Sequence, residues 1–113
     1  MKLLVHSATG PENATRAALA LLVARTAAEA GHEVQVFLAG DAVHLAREAT
    51  AAAVVGAGTG PVAEHLAALR DAGVPISLSG MSSKARGIEG DLPLCPPAKL
   101  IELAEWADTT LTY

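Results

Sequence analysis

The densest group of chemistry-bearing side chains is Ser79-Gly80-Met81-Ser82-Ser83-Lys84-Ala85-Arg86. It follows directly on Val74–Leu78, an apolar run that reads as a short buried strand. In α/β proteins ligands bind in the crevice beyond the carboxyl ends of parallel strands, so this position is where a site is expected. The segment offers hydroxyls and two cations but no thiol, imidazole or carboxylate. A serine nucleophile needs a base within hydrogen-bond reach, and no neighbour in the sequence supplies one. The local pattern favours a Ser-capped helical turn closed by Gly87.

Four other groups invite chemistry and are read as structural. Ser7-Ala8-Thr9-Gly10 follows a first strand, as phosphate-binding loops do. Yet Pro11 withholds an amide hydrogen there and Glu12 puts negative charge where an anion would sit. Too few aromatic residues are present to stack on a flavin ring, so no cofactor is expected. Gly56-Ala57-Gly58-Thr59-Gly60 matches neither dinucleotide-binding nor P-loop spacing and reads as a mobile loop. His6, His32, His44 and His65 show no metal-ligand spacing, so they read as surface or capping residues and no metal is expected. Cys95 stands just before two prolines; a thiol near a helix start can be reactive, but a lone cysteine is more often a small hydrophobe.

The elements that would position these groups alternate between strand and helix. Lys2–His6, Glu33–Leu38 and Val74–Leu78 read as strands, and Thr109–Tyr113 as a β-branched closing strand. Helices are expected at 13–30, ended by Gly31, at 41–49 with Asp41 as N-cap, at 62–71 after Pro61, and at 97–106 after Pro96-Pro97. Within residues 50–60, Ala51–Val55 fit either an extension of the 41–49 helix or a brief strand, and Gly56, Gly58 and Gly60 a flexible loop. The pattern predicts one three-layer α/β domain over residues 1–113, with a mainly parallel sheet flanked by helices.

The 113 residues are 51% hydrophobic but only 3% aromatic, so the core must be built from Ala, Val and Leu. Small aliphatic side chains bury little area each, which makes self-association a physical expectation. A net charge of −4 argues against a nucleic-acid partner and against an anionic membrane surface. No apolar stretch is uninterrupted enough for a membrane span, and the first residues are too short for a secretory leader. One cysteine fits a reducing compartment, so a cytoplasmic location is expected.

Four segments in this order resemble the DsrE/DsrF-like family, small α/β proteins related to sulfur relay. They are the loop with Gly10 and Pro11 leading into a helix, VQVFLAGDAV at 34–43, LRDAGVPISLSGMSSKARGI at 69–88, and ELAEWADTTLTY at 102–113. The resemblance implies a DsrE-like, flavodoxin-like topology and assembly into trimers, hexamers or mixed complexes with a sulfur-relay partner. In sulfur-carrying members a cysteine that accepts sulfane sulfur stands at the position matching Ser79, and in some a second at that matching Ser82. Here both are serine, and a hydroxyl cannot form a persulfide. The expected protein is therefore a non-catalytic binding or scaffold subunit, with a sulfur carrier acting through Cys95 across a subunit boundary as the alternative. A retained pocket would have Ser79, Ser82 and Arg86 on one wall and Gly10 and Asn13 opposite, suited to a small anion.

Overall fold

Leu3, Leu4 and Val5 are consecutive apolar residues, all buried, so the strand that carries them, β1 (Lys2–Ser7), is covered on both faces. The computed structural model describes residues 1–113. After β1 and a 3₁₀ turn at Pro11–Asn13 come α1 (Ala14–Glu29) and β2 (Glu33–Leu38). A second 3₁₀ turn (Gly40–Ala46) leads into α2 (Glu48–Ala53), and β3 (Val55–Gly56) and β4 (Gly60–Pro61) form a small antiparallel ribbon. Then follow α3 (Val62–Asp71), β5 (Ile76–Ser79), α4 (Gly80–Arg86), β6 (Leu94–Cys95), α5 (Pro97–Trp106) and β7 (Thr109–Thr112).

The main sheet is parallel throughout, in the order β6-β5-β2-β1-β7. The α/β class, the parallel sheet and its helical cover are as the sequence leads one to expect. The strand order corrects one detail. In a flavodoxin-like sheet the first strand lies between the second and the third. Here β1 lies between β2 and β7, because the chain leaving α3 returns beyond β2 and leaves the free side of β1 for the last strand.

That path makes the two faces unequal. Steps from β1 to β2, β5 and β6 all move one way, and right-handed crossovers then put their helices on one face. On that face Leu3, Val5, Val36, Leu38 and Leu78 pack against α1 and α3 in one cluster of 21 buried residues. The step from β6 to β7 moves back, so α5 alone covers the other face, where Leu4 and Phe37 meet Leu103. The alanines of α1 (Ala17, Ala18, Ala20 and Ala24) let the helix lie close to the sheet with Leu21 between them.

Local signals set the helix ends. The Asn13 side chain accepts from Arg16 N–H at 3.0 Å and starts α1, and Gly31 leaves it with φ +89°. Asp41 does not cap the next helix; its carboxylate is engaged by Arg86 instead, and the segment winds as a 3₁₀ turn. The strand expected at Val74 begins two residues later, at Ile76. The 56–60 segment is a hairpin rather than a free loop. Thr59 Oγ1 donates to Thr15 O (3.0 Å), Ala57 N–H donates to Thr15 Oγ1 (3.2 Å), and His65 Nε2 lies 2.6 Å from Thr59 O. His65 is therefore not a surface residue: it is buried and anchors this ribbon. No helix is long and apolar enough to cross a membrane.

Candidate functional site

The carboxyl ends of β1, β2, β5 and β6 gather the groups singled out from the sequence. Ser79 ends β5 in extended geometry (φ −61°, ψ 120°), and its Oγ accepts from Ser82 N–H at 3.2 Å, so it is the N-cap of α4. Gly87, at φ +63°, closes that helix. Ser82 Oγ in turn accepts from Gly40 N–H at 2.9 Å, joining α4 to the turn after β2. Arg86 reaches back over the same turn. Its Nε donates to Asp41 Oδ1 at 3.1 Å and its Nη1 to Ser82 O at 3.2 Å. The Arg47 guanidinium donates to Arg86 O at 2.8 Å, adding a second tie.

Ser79, Ser82 and Arg86 therefore stand together. Gly10 and Asn13 lie on the other side of the 3₁₀ turn at Gly40–Ala46, which fills the space between the two loops. Gly10 is pressed against that turn: a Cβ there would lie 2.0 Å from Asp41 O. Its N–H is spent on Glu12 Oε1 at 2.9 Å, and Asn13 Oδ1 is spent as a cap. Ser7 Oγ accepts from Thr9 N–H at 3.3 Å in a closed turn. The hydroxyls and amides here are mostly turned on one another.

Position 95 is the feature that local sequence patterns missed. Leu94 and Cys95 form β6, and the parallel register sets Cys95 directly beside Ser79. Paired residues on neighbouring strands share a face. Cys95 is half-buried and packs against the small cluster under α5. Within the chain this thiol stands one strand away from Ser79. Its helix-start setting is poor in donors, because Pro96 and Pro97 carry no amide hydrogen.

His6 shares this face, its ring 6.1 Å from that of Phe37 and tilted by 51°. Burial holds its pKa below the ordinary 6.5. A lowered folded-state value means that the unfolded chain takes up the proton first. Stability is then full above pH 6.5 and falls as the pH drops below it toward the folded-state value. Thermal melts across pH 5 to 7.5 should show this fall, and His6→Phe should flatten it; an identical slope in the variant would rule His6 out as the source.

The model of the DsrE/DsrF-like family matches residues 1–113. Among solved structures, the crystal structure of the ychN protein from E. coli superposes with a TM-score of 0.84 at 21% identity, covering 100% of this chain and 99% of that one. No curated protein matches the chain.

Proposed function

Since the chain belongs to the DsrE/DsrF-like family, and is in that sense a sulfur-relay-related protein, we propose that it serves as a non-catalytic, self-assembling binding or scaffold subunit. One observation carries this. The Ser79 hydroxyl, at the position where the resemblance sets the sulfur-accepting cysteine of carrier members, is committed to capping α4. A hydroxyl remains protonated near neutral pH and has no sulfur to extend, so the fold keeps the position without the reacting atom. A sulfur-relay protein is the partner class this reading implies.

A second reading is a persulfide carrier using Cys95, and the register of Cys95 beside Ser79 is what favours it. The two separate on one experiment, intact-mass measurement after exposure to a persulfide donor. The parent chain is expected to gain no sulfur. A gain that disappears in Cys95→Ser would establish the second reading in place of the first.

The ligand proposed for Ser79, Ser82 and Arg86, with Gly10 and Asn13 beyond the turn, is a small anion. Arg86 is the attracting charge, and Asp41 opposes it. The pair is exposed, and such pairs are worth about 0.2–1 kcal/mol, so Asp41→Asn should tighten sulfate binding by a factor of about five at most. Calorimetric titration that shows no heat with either protein would remove the anion from this reading.

A further inference from the structure

We propose that the β7 edge and the apolar groove beside it are the surface on which a second copy of this chain docks, the two β7 strands pairing antiparallel about a two-fold axis. This rests on the self-assembly in the proposed function and says where it happens. β7 is out of character for its sheet. All four of its residues are exposed, whereas β1, β2 and β5 are mostly buried. Tyr113 exchanges both backbone hydrogen bonds with β1, through His6 O and Ala8 N–H. Strand alternation then turns the N–H and C=O groups of Thr110 and Thr112 outward, with no partner strand beyond them.

The two edges of the sheet are treated differently. At the far edge β6 has two residues, with Pro93 before it and Pro96 after it, and Glu89 and Asp91 lie in the approach. Short length, proline and charge are the devices that keep an edge from pairing. β7 is twice as long, has no flanking proline, and Thr109-Thr110-Leu111-Thr112 is uncharged and rich in β-branched residues; Asp108 precedes it, but its carboxylate is taken by Lys2 N–H of β1.

Beside β7 lies a groove of about 420 Å³ floored by Leu3, Leu22, Val23, Ala27 and Leu111. No Asp or Glu lines it. In a chain of net charge −4 this is a face where two copies meet without carboxylate repulsion, the Met1 ammonium lying against His32 at 2.9 Å, and a basic partner would find no carboxylate to hold. Pairing Thr110 of one copy with Thr112 of the other uses all the outward groups. It also brings Leu111 against Leu111 on the groove side, where the α1 helices of the two copies can close over them.

Sedimentation velocity over the micromolar range tests this with Thr110→Pro and Leu111→Glu. The proline removes an outward N–H that the fold does not use, and the glutamate sets like charges at the axis. The parent is expected at an even multiple of the chain mass, and each variant at half the parent's mass with a cooperative melt retained. If Thr110→Pro fails to fold, Leu111→Glu, at a residue already 37% exposed, decides alone. A monomeric parent overturns both this surface and the self-assembly it rests on. An odd multiple, or an oligomer whose mass neither variant changes, overturns only this surface.

Discussion

Ser79→Cys in a Cys95→Ser background is expected to gain one sulfur from a persulfide donor, while the parent and the Cys95→Ser chain gain none. The thiolate at position 79 would attack the sulfane sulfur, form the protein persulfide, and release the donor as a thiol, so that sulfur and electrons balance. The geometry favours the thiolate, because the Ser82 N–H that now reaches Ser79 Oγ at 3.2 Å would point at the sulfur. Each unit by which such contacts lower a thiol below its ordinary value of about 8.5 raises the thiolate fraction at neutral pH about tenfold. Stability should fall by only about 0.5–1 kcal/mol, the worth of an oxygen N-cap that sulfur replaces poorly. A double variant that folds but takes up no sulfur would show that the site is not shaped for sulfur at all. The reading of Ser79 as the emptied position would then fail.

Gly10→Ala is the substitution with the largest expected effect on folding. The new methyl would lie 2.0 Å from Asp41 O and 2.6 Å from its carbonyl carbon, and both are backbone atoms that cannot rotate aside. Overpacking typically costs 1–3 kcal/mol, and a backbone collision belongs at the top of that range, about 3 kcal/mol. Relief requires the Gly40–Ala46 turn to move, which strains the Ser82–Gly40 and Arg86–Asp41 bonds with it. Gly31→Ala is the control: nothing lies near its Cβ, and its φ of +89° alone should cost about 1–2 kcal/mol. Urea unfolding midpoints measure both. A Gly10→Ala chain no less stable than Gly31→Ala would mean the contact is looser than described.

Local chemistry made much of this architecture readable. The unbroken apolar run at Leu3–Val5, the proline before Val62 and the glycines after α1 and α4 each act within a few residues, and those elements fall where pattern places them. What escaped was set by distant partners. Asp41 has the form of a cap, but Arg86, 45 residues on, takes its carboxylate. The glycines at 56–60 suggest freedom, but Thr15, 42 and 44 residues back, ties the segment down. β6 is two residues hemmed by prolines, with too little alternation to register as a strand. Only the strand order sets Cys95 beside Ser79. The site was thus legible in its residue types and not in its neighbours.

The placement of β7 against β1 has a consequence for how the chain reaches this structure. The Lys2 amide hydrogen bonds to Asp108, 106 residues away, and every rung between these two strands spans nearly as much chain. Closing so long a loop brings no reward until the end, so this pairing slows folding relative to a domain built from local contacts. During synthesis β1 must wait with one flank bare while everything between is made. In that interval Leu4, on the face that only α5 will cover, would be among the groups a chaperone meets first.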